Sequence, residues 1–322
     1  MSAAAPVPDE TIPVDPGPEP PRSHGHAWSG IGLALFGAVA FSGKAIIVKL
    51  GFQHGADAIT LLALRMLVAL PFFALMAWWA RRDMQRFRLR GRDRWKIVAL
   101  GFSGYYLASF LDFAGLAYIT ATLERLILYL TPTLVLLIGM VLFRRRPASR
   151  QLLALAISYC GVALAFAHDL EVGGEGIALG GLLVFLSALS YASYLVGSGE
   201  VVARVGAVRL TAYASAVAAG FCLLHFLLVR PWHSLFEQPA AIYWLSLLNG
   251  TLCTVLPVLA TMMAVQRLGS AMTSQIGMVG PVSTIVMSLL ILGEPMGPWQ
   301  IAGTVLVMIG VFVVTRPARP SL

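Results

Sequence analysis

Charge is what this sequence has least of. Only 12% of its 322 residues are Asp, Glu, Lys or Arg, against about a quarter in soluble domains. With 58% hydrophobic residues and a mean hydropathy of +0.80, that deficit excludes an ordinary soluble domain and leaves a polytopic membrane protein. Cysteine is equally scarce. Cys160, Cys222 and Cys253 all lie inside apolar runs, which argues against a disulfide framework. No His/Cys/Asp cluster has metal-ligand spacing, no G-x-S-x-G or H-E-x-x-H occurs, and no Gly-Lys-Thr loop follows a strand. No catalytic residue, metal or cofactor is expected, and the chain does not read as an enzyme. The net charge of +8 does not point to nucleic acid, because the basic residues sit in short loops between apolar runs.

What is present is length and apolarity. Residues 1–27, rich in Pro, Ala and acidic groups, have almost no long aliphatics and are predicted to be a disordered tail. They lack the pattern of a cleaved signal or an organelle transit peptide. Ten apolar runs follow, near 28–50, 58–80, 95–116, 121–143, 151–167, 177–198, 208–229, 240–265, 270–292 and 298–315. About 20 apolar residues at ~1.5 Å rise match a hydrocarbon core ~30 Å thick. The runs are too long and too uniform for barrel strands, so helices are expected. The fold class is an all-α integral membrane protein with ten transmembrane helices.

Loop charges set the expected orientation. Residues 81–96 hold seven Arg and one Lys against two Asp, and residues 144–150 hold four Arg and no acid. The loop at 168–176 is acidic, with Asp169, Glu171 and Glu175. The positive-inside rule then places the two basic loops and both termini in the cytoplasm and the acidic loop outside. Residues 316–322 form a cytoplasmic C-terminal tail. The location expected is the inner cell membrane.

Ala121–Phe143 has an echo at an offset of 149, Ser270–Leu292. Pro132 falls on Pro281, Trp95 on Trp244, Gly101 on Gly250, Gln151 on Gln300, and Gly161-Val162 on Gly310-Val311. One unbroken register joining such residues predicts two repeats, 28–167 and 177–315. Five spans per repeat is odd, so the second must be inverted. Arg144-Arg145-Arg146 corresponds to Gly293-Glu294-Pro295, a basic loop against an acidic one, as inversion requires. Inverted repeats are a construction of secondary transporters, with the binding site between the halves.

The run LDFAGLAYITATLERLILYLTP, the proline in each fourth span, Arg65 in the second, and the ends LLALAISYCGVALAF and WQIAGTVLVMIGVFVV resemble the EamA family of the drug/metabolite transporter superfamily. The resemblance covers about residues 30–315. It implies ten helices, a central cavity between two halves, and movement of small metabolites, often outward. The second repeat keeps a family-like Gly293-Glu294 turn after its fourth span, where the first has Arg144-Arg145-Arg146.

An ionisable residue within a span costs about 2.5–3.5 kcal/mol on insertion scales and needs a reason. Lys44, Arg65, Asp112, Glu124 and Arg125 all fall toward the outer side of the first repeat; Lys49 sits at the boundary, where snorkelling accounts for it. They read either as ion pairs holding helix ends or as an outer gate and part of the substrate site, with Arg65, Asp112, Glu124 and Arg125 the gate or coupling residues. The repeat positions of Asp112, Glu124 and Arg125 are Thr261, Thr273 and Ser274, so the inner gate is expected to be neutral. Tyr105, Ser109 and Asp112 fall on one helical stripe, bordered by Tyr106. With Lys44, Tyr129, Tyr191, Tyr194, Asn249, Ser274 and Met278 these supply the candidate cavity lining. Pro132 and Pro281 read as packing bends or as hinges. Asp112, with no charged neighbour in its own span, is expected to be the better proton carrier of the two acids.

The expected partners are a small-molecule substrate and the lipid bilayer, with protons as the candidate coupling ion. Nucleic acid is not among them, and a homodimer is left open. The cargo expected is an amino acid or related metabolite, moved by alternating access. Facilitated exchange, an intramembrane enzyme and a membrane sensor are the alternatives; the last lacks a soluble output domain.

Overall fold

A computed structural model describes residues 24–82, 91–143, 149–172, 176–268, 270–277, 279–294 and 297–315, and every regular element among them is helical. Residues 1–23, the loop Arg144-Arg145-Arg146, Met278 and the tail 316–322 lie outside the described residues, so the expectations placed on them stand apart. Helix α1 (His24–Gln53) begins four residues early, so residues 24–27 of the expected disordered tail are helical. Extending an existing helix needs no new nucleus.

There follow α2 (Ala58–Arg82), α3 (Gly91–Leu116), α4 in two pieces (Ala121–Leu128 and Thr131–Phe143), α5 (Ser149–Val172) and α6 (Ile177–Val205). The second half holds α7 (Ala207–Val229), α8 (Ala240–Leu268), α9 in pieces (Ser270–Gly277, Val279–Met287 and Ser288–Leu292) and α10 (Pro298–Thr315). Among the described residues eight helices are long and apolar enough to cross a membrane. The ninth and tenth runs carry shorter apolar helices, Val279–Leu292 and Pro298–Val313.

Local chemistry explains the interruptions. Pro132 has no N–H for the Leu128 carbonyl, and the Thr131 hydroxyl donates to that carbonyl instead, at 2.6 Å. In α3 the chain widens into a π segment at Phe102–Leu107, and α8 does the same at Thr251–Val255. These segments follow Gly101 and Gly250, residues that occupy equivalent repeat positions.

The two halves exchange contacts at that same offset. A Cβ on Gly101 would lie 2.7 Å from the Ala214 carbonyl oxygen of α7; one on Gly250 would lie 3.0 Å from the Arg65 carbonyl oxygen of α2. Ala214 is the repeat position of Arg65. Likewise Gly161 closes on Gly303, and Gly310 on Ala154, with a Cβ 2.7 and 2.8 Å from the facing carbonyl oxygens. As numbers rise along α5 they fall along α10, so these two equivalent helices pack antiparallel. Small residues permit such approach.

One face of the bundle, called proximal here, holds the ends of α1, α3, α7 and α9 and the starts of α2, α4 and α8, all in a single core with Leu62, Met66, Phe113, Leu116, Phe226 and Ile242 at its centre. Ile119 and Leu123, with Phe166 and Ile177, belong to a second core on that side, and two more lie at the opposite, distal face. Ile97, Leu100, Tyr194, Val201 and Leu210 form one core, and Phe73, Met76, Ala212 and Val255 another. Leu35, Phe36, Val39 and Phe41 of α1 and Tyr191 and Leu195 of α6 are exposed.

Candidate functional site

The site is built where α1, α2, α3, α4 and α9 meet beneath the proximal core. α1 brings Lys44, α2 Arg65, α3 Ser109 and Asp112, and α4 Glu124 and Arg125. Thr120 sets the start of α4, its hydroxyl accepting from Leu123 N at 3.1 Å, which places Glu124 in the first turn. Asp112 and Glu124 are 2% and 0% exposed, so neither charge is answered by bulk water.

Lys44 answers both. Its Nζ forms a close hydrogen-bonded ion pair with Asp112 Oδ2 and stands 3.6 Å from Glu124 Oε1. Arg125 lies on the other side of Glu124, Nε to Oε2 at 3.9 Å, and donates to Thr284 Oγ1 of α9 at 3.0 Å and to the Ser42 carbonyl at 3.4 Å. Ser42 in turn donates to the Gly280 carbonyl at 2.8 Å. The ionised cluster of the first repeat is thus tied to α9 of the second. Phe41 supplies its aromatic floor, 5.6 Å from Lys44 Nζ and 5.7 Å from the Arg125 guanidinium. Asp112, which has no charged neighbour within its own span, is paired across helices. Its partner comes from α1, and sequence distance within one span cannot reveal it.

Arg65 differs. Nη2 donates to Ser109 Oγ at 3.4 Å and the guanidinium lies 5.1 Å over the Phe113 ring, while Nε and Nη1 have no hydrogen-bond partner among the described residues. One Asp112 oxygen, both Glu124 oxygens and Asn249 Oδ1 are also buried without a hydrogen bond.

The tyrosines separate into three groups. Tyr105 meets Tyr194 edge-on with hydroxyls 3.3 Å apart, and Tyr191 stacks on Tyr194. Tyr191 is 39% exposed on the open distal half of α6. Tyr106 turns instead to α7, its hydroxyl 3.0 Å from His225 Nδ1, among Phe102, Phe110 and Phe221. Of the expected stripe, Tyr105 lies in the π segment and turns to α6, while Ser109 and Asp112 follow in regular helix and meet Arg65 of α2 and Lys44 of α1. Tyr129 donates to the Gly277 carbonyl at 3.3 Å, the carbonyl that Pro281 deprives of an N–H partner. Ser274 lies on α9, its side chain outside the described residues.

Glu294, the acid of the family-like turn after the fourth span of the second repeat, reaches across to the first. Its carboxylate accepts the Ala121 N–H at 3.0 and 3.2 Å, binds the Ser288 hydroxyl, and lies 3.9 Å from Lys49. It caps α4 from the second repeat, beside a proximal recess of about 310 Å³. The Gly293-Glu294 turn, with Gly293 at φ 65°, was the one signal of this. At the distal end Arg204 of α6 pairs with Asp93 of α3.

Two helical repeats that swap contacts, with an ionised cluster bound between them, define a membrane transporter. The EamA-like transporter family matches residues 28–167 and 178–316, and the chain belongs to that family. It is similar to a Bacillus subtilis (strain 168) protein named "Uncharacterized transporter YcbK", 30% identical over 287 residues that cover 86% of this chain and 89% of the relative. An Archaeoglobus fulgidus protein named "Uncharacterized transporter" is 26% identical, covering 85% and 93%. A solved crystal structure at 15% identity shares the fold, with a TM-score of 0.61 over 89% of this chain and 98% of its own.

Proposed function

We propose that the chain is a secondary transporter that exports small metabolites, amino acids or related compounds, by alternating access. Its ten spans form two inverted five-helix repeats in the inner membrane, with both termini cytoplasmic. The reciprocal glycine contacts carry this reading, since they relate the halves residue by residue while α5 and α10 run antiparallel. Halves related in that way expose one midplane site to either side by rocking.

The arrangement of Lys44 favours a second reading of coupling. Both in-span carboxylates already have a cation within 4 Å, which suits solute exchange without a coupling ion. Purified protein in vesicles preloaded with a labelled amino-acid mixture tests both. Protein-dependent release, raised by unlabelled solute outside, is expected. Acceleration by an imposed pH gradient selects proton coupling, insensitivity selects exchange, and no protein-dependent flux of any solute overturns the proposal.

A further inference from the structure

The charges enclosed by the spans do not balance. Among the described residues, Lys44, Arg65 and Arg125 face only Asp112 and Glu124. The remaining buried acids are spoken for at helix ends, Asp93 by Arg204 and Asp169 by Gln300, while Lys49 pairs with Glu294 at the boundary. Lys44 and Arg125 share the two carboxylates between them. The surplus cation is Arg65, 6% exposed, fixed by one hydroxyl and one aromatic ring, with Nε and Nη1 unbonded. A buried guanidinium without a counter-anion is costly, and truncating or neutralising it would relieve that cost. A purely structural arginine would find acceptors among the carbonyls or acids around it.

We propose that Arg65 is the binding group for a carboxylate on the transported solute, so that the site selects monocarboxylates and amino acids over their amides and amines. This rests on the transporter reading and narrows its substrate class. The chemistry fits in three ways. A planar carboxylate matches the guanidinium donors and replaces the missing acceptors. A bound monocarboxylate brings the enclosed charge from one positive to neutral, whereas a zwitterionic amino acid leaves the sum unchanged and supplies Arg65 with its counter-anion locally. Ser109, which holds Nη2, is three residues before Asp112 on α3, so the Arg65 head and the unbonded Asp112 Oδ1 are about one helical turn apart. An α-amino acid carries its ammonium and carboxylate at adjacent carbons and can address both. The second repeat has Ala214 in place of Arg65, so the anion site is single and does not recur at the distal gate.

The test uses vesicles containing the full chain and loaded with a water-soluble cell extract, with protein-free vesicles as control and mass spectrometry of what is released. Released compounds are expected to carry a carboxylate, and Arg65→Gln is expected to slow their release about tenfold or more, as loss of a charged hydrogen bond implies. Arg65→Lys retains part of the rate. Ser109→Ala, which frees the guanidinium without removing it, is expected to raise the half-saturating concentration of the released carboxylates and to leave their maximal rate. Release of carboxylate-free compounds, or unchanged kinetics in Arg65→Gln, overturns this inference alone. Should Arg65→Gln fail to elute as a folded species, unchanged kinetics in Ser109→Ala decides against it. Absence of release of any compound overturns the transporter reading with it.

Discussion

Lys44 holds two carboxylates that would otherwise repel each other in a low dielectric. It reaches Asp112 by a direct hydrogen-bonded pair and Glu124 at 3.6 Å. Replacing Lys44 with Met leaves both acids buried without that cation, and a loss of about 3–5 kcal/mol is expected. Adding Asp112→Asn to Lys44→Met removes one of the stranded charges and is expected to recover most of that loss. Thermal unfolding in detergent checks this; a double variant no more stable than Lys44→Met would show that the two residues are not coupled. Tyr129 makes a different residue-level point. Its hydroxyl serves the Gly277 carbonyl at 3.3 Å, so Tyr129→Phe is expected to cost about 1 kcal/mol in the same assay.

At the scale of elements, the prolines and glycines act in pairs but by different local means. Pro132 and Pro281 each free one carbonyl, and a hydroxyl meets each: Thr131 within α4, Tyr129 from α4 into α9. The second arrangement ties the two interrupted helices together, and any bending of α9 at that point must move α4 with it. Gly101 and Gly250 precede the two π segments and press against α7 and α2 in the same manner. Gly101→Val and Gly250→Val are therefore expected to destabilise by similar amounts, about 1–3 kcal/mol, since a side chain at either site collides with backbone of the facing helix. A large loss at one glycine with none at the other would break the equivalence of the repeats.

For the whole molecule, the consequence of inversion is a sidedness test. Ser149 and Pro298 begin α5 and α10, are exposed, and occupy equivalent repeat positions. In a cysteine-free variant, Ser149→Cys is expected to resist an impermeant thiol reagent added outside intact cells, and Pro298→Cys to react. Labelling of both from one side would refute inversion; the opposite pattern would reverse the orientation. Glu294 also belongs to this scale, because from the second repeat it caps α4 of the first and so joins the halves at the proximal face.

The sequence by itself determined that the chain is a set of apolar helices arranged as two repeats; among the described residues, eight of the helices are long enough to cross a membrane. The apolar runs and the repeats are both local properties: an apolar run long enough for the bilayer is visible wherever it occurs, and Gly, Pro and Trp keep their offset whatever packs around them. Only the tertiary structure decided which charge meets which. Asp112 reads as isolated because its own span holds no other charge, yet Lys44 lies beside it from a helix 68 residues earlier. Arg65, by contrast, has no carboxylate in hydrogen-bond contact among the described residues, the Asp112 carboxylate being held by Lys44. The π segment of α3 holds Tyr105 and Tyr106, which turn to Tyr194 and His225, while Ser109 and Asp112 beyond it meet Arg65 and Lys44. A helical period predicts which residues share a face of one helix. What that face meets depends on how several helices pack, and no spacing along the chain encodes it.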